Sequence, residues 1–200
     1  MRNACLFSLF AAAVLLTSIT GSSLFAADKA PARATFGKPV KDFALKDAVS
    51  GKTIKTANLR GKIVVLVWYS PACLTCPSYN KRLQEFAAKY RKPKDGKQTV
   101  VLLAVCSNSG DTPAGLKSYS KSMKLNFPML RDGDSRIANY FSIEKTCTFV
   151  ILDGKGVMRY RGGFDDNLAA DAVKQRYVED AVKALLAGRK VPKTKTSSFG

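Results

Sequence analysis

Two hydrophobic periodicities alternate along this chain. Residues 63–68 and 99–105 are nearly unbroken apolar runs of strand length, the pattern of strands covered on both faces of a sheet. After the first run, Tyr79, Leu83, Phe86, Ala87 and Tyr90 recur at helical spacing and predict a helix with one buried face. Thr112-Pro113 predicts the start of a second helix, with a capping threonine and a proline at the first helical position, running to about Met123. Ile137, Tyr140 and Phe141 predict a short third helix. Residues 149–152 and 157–160 flank Asp153-Gly154-Lys155-Gly156 and read as a hairpin, and Phe43 to Leu45 with Thr53-Ile54 read as a shorter one around Gly51-Lys52. Asp166-Asn167 is expected to cap a last helix carrying Ala169, Val173, Val178, Val182 and Leu185, ending at Gly188.

This order predicts an α/β fold, a three-layer α/β/α sandwich with a mixed central sheet and an N-terminal β-hairpin extension. Crossover connections make the strands ending near Trp68 and Cys106 parallel, and sites in such sheets form at the carboxyl ends of the strands. A length of 200 residues, 46% hydrophobic and 24% charged, suits one globular domain, expected over 36–188. Ahead of it, Arg2, an apolar stretch over 6–16 and small residues up to Ala26-Ala27 read as a signal peptide over 1–26. An uncleaved membrane anchor is the alternative, but the apolar stretch is short against the roughly 20 residues of a span. Residues 27–35 read as a flexible leader and 189–200 as a basic disordered tail. No later run is apolar enough to cross a bilayer. The chain is therefore expected outside the cytoplasm, periplasmic or otherwise extracytoplasmic.

The candidate chemistry lies in Trp68-Tyr69-Ser70-Pro71-Ala72-Cys73-Leu74-Thr75-Cys76-Pro77. A buried strand runs into a C-x-x-C pair that is expected to open a helix, where the dipole and free amides favour a thiolate. A thiolate beside a second thiol can make and break disulfides. With Cys5 in the signal segment, Cys73, Cys76, Cys106 and Cys147 remain, and two structural bridges are one use of four exported cysteines. Closing a loop as short as C-x-x-C removes little entropy from the unfolded chain, which argues against a staple there. The formal charge of +18 and pI near 9.9 suit acidic proteins or anionic surfaces, or simply a solvated basic exterior; an exported chain has little occasion to meet nucleic acid. The chain has no histidine, which excludes His-based acid–base catalysis, His metal ligands, a Ser-His-Asp triad and c-type haem attachment.

With these residues placed, the chain resembles a thioredoxin-fold protein of the redoxin branch, which holds the AhpC/TSA antioxidant proteins and the exported TlpA-like thiol-disulfide oxidoreductases. The resemblance runs from about Phe36 to Leu186. It is carried by Gly37-Lys38-Pro39-Val40-Lys41-Asp42-Phe43-Ala44-Leu45, by Leu59-Arg60-Gly61-Lys62 before the strand, and by Tyr160-Arg161-Gly162 after the Asp153–Gly156 turn. It departs from the family at three points. Thioredoxin-type oxidoreductases carry a cis-proline after a threonine, facing the cysteines; counting back from Asp153 puts that position on Cys147, and an offset of one puts Thr146 there. Peroxiredoxins place Thr or Ser three residues before the reactive cysteine. Ser70 satisfies that, but Leu66 stands where their proline would, and no arginine matches theirs. Strand 63–68 also lacks the buried acid thioredoxins use, and Glu85 lies far along the helix.

The resemblance implies an exported thiol-disulfide oxidoreductase that needs no cofactor beyond a redox-active Cys73–Cys76 disulfide. Cys73 would attack and Cys76 resolve, with protein thiols or disulfides and an upstream redox partner as its reactants. Trp68 and Tyr69 would shape the surface a substrate meets, with Ser70, Pro71, Pro77 and Thr146 around the pair and Leu74 and Thr75 tuning its potential by packing and hydrogen bonding. A thiol peroxidase is the second expectation, with Cys76, Cys106 or Cys147 resolving a sulfenic acid on Cys73. The third is a binding module in which Cys73, Cys76, Cys106 and Cys147 converge as thiolate ligands for a metal or an Fe–S cluster. Against that, Cys106 and Cys147 could be plain buried hydrophobes.

Overall fold

The computed structural model describes residues 32–91 and 99–200. The strands are β1 (Ala44–Asp47), β2 (Thr53–Lys55), β3 (Ile63–Trp68), β4 (Val100–Cys106), β5 (Met129–Arg131), β6 (Phe149–Leu152) and β7 (Met158–Gly162). The helices are α1 (Asn80–Arg91), α2 (Pro113–Ser122), α3 (Arg136–Tyr140) and α4 (Tyr177–Leu186). One seven-stranded sheet runs in the order β2-β1-β5-β4-β3-β6-β7. β3, β4 and β5 are parallel, and β6 and β7 complete one side antiparallel while the β1–β2 hairpin completes the other.

Every residue of β3 is buried because both faces of the sheet are covered. Val65, Val67 and Tyr69 join the core under α1 (Leu83, Phe86), α2 (Leu116) and α4 (Val178, Val182). Val64, Leu66 and Trp68 alternate onto the opposite core, closed by Ile137 and Ala138 of α3 and by Phe141. The α/β/α sandwich, the two hairpins and the parallel β3–β4 pair thus form as the patterning predicts.

The differences have local causes. β5 has only three residues, too few to show a period; it forms because β4 and β1 hydrogen-bond it from both sides and buried Asp47 accepts Met129 N–H at 3.0 Å. The last helix does not begin at Asp166. A single 3-10 turn (Ala170–Ala172) precedes α4, which starts at Tyr177. Asp166 instead accepts from the amides of Lys174 and Gln175, both at 2.9 Å, and closes a loop. The carbonyls of Asn167 and Leu168 are taken by the Arg82 guanidinium at 2.9 and 2.7 Å, which keeps them from helical partners.

The tail is not disordered. Arg161 N–H donates to the Thr194 carbonyl at 3.0 Å and Thr196 N–H to the Arg161 carbonyl at 3.2 Å, so the tail pairs in parallel with the edge strand β7. An edge strand offers unpaired backbone groups, and the tail satisfies them. Thr196 Oγ1 also bonds Tyr160 Oη at 2.6 Å and accepts Gly163 N–H at 3.0 Å. A β-carbon at Gly162 or Gly163 would collide with this segment, so the close approach depends on both glycines. The expected flexible leader is anchored at Ala34, whose N–H donates to the Tyr140 carbonyl at 2.8 Å. The signal peptide expected over 1–26 lies outside the described residues.

Arg82 of α1 and Asp165, 8% and 1% exposed, form a buried ion pair that ties α1 to the 165–168 loop. Arg82 also lies over the Tyr79 ring at 4.3 Å. Removing one member of a buried pair strands the other charge, so Asp165→Ala is expected to lower stability by about 3–5 kcal/mol. Urea denaturation at unchanged slope measures this; a loss no larger than an exposed pair's, about 0.5 kcal/mol, would refute it.

Candidate active site

β3 and β4 are parallel, so Trp68 and Cys106 finish at the same edge of the sheet. Beyond Trp68 the chain does not enter a helix at once. Tyr69 N–H still bonds the Val105 carbonyl at 2.9 Å, and a turn closes with Cys73 N–H on the Ser70 carbonyl at 3.2 Å. A 3-10 turn over Cys76–Tyr79 follows, and α1 begins only at Asn80. The cysteines therefore do not open α1 as expected. The reason is in the sequence: Pro77 has no N–H to donate to the Cys73 carbonyl four residues back, so α-helical bonding cannot start there.

Three sulfurs meet beside this turn. Cys73, Cys76 and Cys147 have their Sγ atoms all within 4.8 Å of one another. Cys76 Sγ and Cys147 Sγ are 3.1 Å apart. Cys73 Sγ accepts Thr146 Oγ1 at 3.0 Å and Thr75 N–H at 3.4 Å. Cys147 and Thr146 thus both face the pair. Cys147 N–H donates to the Trp68 carbonyl at 2.7 Å, and Trp68 N–H to the Thr148 carbonyl at 3.0 Å, extending the β3–β6 ladder by one step. Cys147 has φ 54, left-handed for a residue with a β-carbon. Such backbone costs of order 1–3 kcal/mol and persists only where its surroundings over-determine it. The Trp68 bonds do that here, together with the 2.9 Å bond from Thr148 Oγ1 to the Lys145 carbonyl. No peptide bond among the described residues is cis.

Exposure and charge are divided between the cysteines. Cys73 is half-buried, while Cys76 and Cys147 are buried. The Cys76 thiol is brought down to about 6, chiefly because the Cys147 S–H donates to it; Ser70 N–H, the Cys73 thiol and the Thr146 hydroxyl add to this, and burial opposes it. Cys147 is pushed the other way, first by that same hydrogen bond and then by burial. The contacts around Cys76 favour its thiolate form, and the helix N-terminus expected beside Cys73 is absent because α1 starts at Asn80.

The remaining candidates separate. Cys106 lies outside the three-sulfur group; it is fully buried and burial pushes its thiol up, so the four-thiolate set is not assembled. The Trp68 and Tyr69 side chains are buried. Trp68 is 2% exposed and packs on Phe141 at 5.4 Å. The Tyr69 hydroxyl bonds Asn80 Oδ1 at 2.6 Å and Tyr119 Oη at 2.8 Å inside the core. Leu74 packs on nothing and is 100% exposed beside Cys73, while Pro71 and Thr75 are half-buried and Pro77 exposed. A 230 Å³ cleft is lined by Trp68, Tyr69, Val105, Asn139, Ile143 and Thr146.

Glu85 is exposed on α1, but a buried acid does come from the loop after β4. Asp111, 7% exposed, accepts Ser70 Oγ at 3.0 Å, and its Oδ2 has no partner among the described residues. Burial raises its carboxyl, against the Ser70 hydrogen bond. Ser70 Oγ also accepts Ala72 N–H at 3.2 Å, so Asp111 fixes the turn that carries Cys73. Nothing in its sequence neighbourhood marks Asp111 apart from its place just before the Thr112-Pro113 helix start.

Titration of the thiolate absorbance is expected to show one sulfur ionising near pH 6. Because this group is depressed in the fold, the stability it contributes is full above the unfolded thiol's range and is lost as pH falls through 6. Cys147→Ala removes the main donor and should move the midpoint up toward the ordinary thiol value; an unmoved midpoint would refute the assignment.

The model of the AhpC/TSA family matches residues 36–161. Chloroplastic peroxiredoxin Q of Triticum aestivum is 32% identical over 132 residues, 62% of this chain and 57% of that protein. Thiol-disulfide oxidoreductase ResA of Bacillus subtilis (strain 168) is 28% identical over 120 residues, 60% of this chain and 63% of that protein. The chain therefore spans about three fifths of the length of these relatives. The pneumococcal exposed lipoprotein thioredoxin from Streptococcus pneumoniae strain TIGR4 has the same fold, with a TM-score of 0.55 at 21% identity, covering 66% of this chain and 95% of that one. Family match, sheet order and thiols at the sheet's carboxyl edge agree: this chain belongs to the AhpC/TSA family of thioredoxin-fold oxidoreductases.

Proposed function

We propose that this protein is an exported thiol-disulfide oxidoreductase acting through Cys73 and Cys76. The observation that carries the reading is geometric: an accessible sulfur held by two donors lies within 4.8 Å of a buried second sulfur of the same C-x-x-C pair. Cys73 attacks one sulfur of a protein disulfide, the other substrate sulfur leaves as a thiolate, and a mixed disulfide remains on Cys73. The Cys76 thiolate then attacks Cys73 Sγ, the second substrate sulfur leaves, and a Cys73–Cys76 disulfide closes. An upstream dithiol partner reverses the same steps and resets the site. Exposed Leu74 offers an apolar contact next to the reacting sulfur, and the charge of +18 supports an acidic or anionic partner surface.

Export is supported by the charged start, apolar stretch and small residues of 1–26, which are cleaved as a signal peptide in this reading. No described helix is long and apolar enough to cross a membrane. The likeness to peroxiredoxin Q favours a second reading, a thiol peroxidase with Cys73 as the oxidised sulfur. Against it, Ser70 Oγ is committed to Asp111, and no arginine among the described residues hydrogen-bonds a cysteine sulfur.

Cys76→Ser is expected to accumulate mixed disulfides through Cys73 when exposed to exported proteins, and Cys73→Ser to lose disulfide reduction to background. Diagonal gel electrophoresis after acid quenching reads both. Recovering no adducts under either oxidising or reducing conditions sinks the exchange reading, and rapid hydroperoxide consumption in the same preparation would install the peroxidase.

A further inference from the structure

Cys147 is more than a residue filling the space opposite the pair. Its sulfur is 3.1 Å from Cys76 Sγ. A disulfide needs about 2.05 Å, so closing this bond requires a shift of about 1 Å between two buried side chains. The backbone that would have to supply the shift is asymmetric. Cys147 is fixed by its ladder bond to Trp68, whereas Cys76 starts a short 3-10 turn after an exposed loop. A cysteine serving only as a small hydrophobe has no need of a strained left-handed backbone pointing it at another sulfur.

We infer that Cys147 is a third redox-active thiol, which takes over Cys76 from the Cys73–Cys76 disulfide and frees Cys73 without any change in the oxidation level of the protein. The step is an internal thiol–disulfide exchange. Cys147 sulfur attacks Cys76 Sγ, the Cys73–Cys76 bond breaks, and Cys73 leaves as the thiolate. The Cys147 proton passes to Cys73 or to solvent, so the reactants (one disulfide, one thiol) and the products (one disulfide, one thiol) balance. The oxidising equivalents come from the protein disulfide consumed in the proposed reaction, on which this inference rests.

The exchange changes what the site can do. With the disulfide inside, between Cys76 and Cys147, the accessible sulfur is free but has no resolving partner. A mixed disulfide formed on Cys73 in that state has no resolving thiol within the protein; when another thiol of the same substrate attacks the substrate sulfur bonded to Cys73, a new substrate disulfide forms, Cys73 leaves as the thiolate, and the substrate's disulfides are rearranged rather than reduced. With the disulfide outside, between Cys73 and Cys76, both sulfurs are spent until the upstream dithiol returns. The position of one disulfide therefore selects between shuffling and waiting for reduction.

The test oxidises the full chain with glutathione disulfide, quenches it in acid, alkylates the free thiols and maps Cys73, Cys76 and Cys147 by peptide mass spectrometry. The Cys147 peptide is separate from the one holding Cys73 and Cys76, so the inner disulfide appears as a cross-link between two peptides with the alkyl label on Cys73. The expected result is both forms in the wild type, complete conversion to the Cys76–Cys147 cross-link in Cys73→Ser, and only the Cys73–Cys76 form in Cys147→Ala. Quantitative labelling of Cys147 in the oxidised wild type overturns the inference. So does a folded Cys73→Ser protein that keeps Cys76 and Cys147 both labelled, and should that variant not fold, the wild type and Cys147→Ala still decide. No substrate protein is present, so a negative result here is distinct from failure of the Cys76→Ser trap, which would overturn the exchange function itself.

Discussion

The two backbone hydrogen bonds between Trp68 and residues 147 and 148 hold the site together. They are the last rungs of the β3–β6 ladder, and they fix the loop before β6 against the loop after β3. Because the strands are antiparallel, the end of β3 meets the start of β6, so a residue more than 70 positions away in sequence faces the C-x-x-C pair. The same rungs keep Cys147 in a backbone conformation it would otherwise avoid. Slipping this register by one residue would turn the Cys147 side chain to the other face.

From that contact follows the electrostatic character of the site. A buried thiolate is unfavourable alone, and Cys76 tolerates its charge because a thiol, an amide and a hydroxyl point at it. The half-exposed cysteine is the one left accessible to other molecules. In many redox sites a helix N-terminus supplies this stabilisation. Here Pro77 delays the helix, and side chains from the opposite strand take its place.

The surroundings are braced accordingly. Asp111 anchors Ser70 and with it the turn before Cys73. Arg82 and Asp165 bind the helix after the cysteines to the loop after β7. The tail lies along β7, and Ser198 Oγ bonds Thr148 Oγ1 at 3.0 Å, next to Cys147 in the chain. Asp111 and the tail thus each brace one of the two loops that carry the sulfurs.

The sequence by itself determined the layers, the two hairpins, the parallel central strands and the C-x-x-C pair at a strand end. These depend on periodicity and turn chemistry, which act over a few residues. The resemblance, counted back from Asp153, pointed to Cys147 or, with an offset of one, to Thr146 as the residue facing the pair. Only the tertiary structure decided that both of them lie against the pair, that Cys106 stands apart, and that Trp68 supports the site with its backbone while its ring is in the core. It also decided the three-residue β5, the late start of α4, the docked tail and the buried Asp111. Each of these is settled by a hydrogen bond or a contact between residues far apart in sequence, and no local pattern records such a partner.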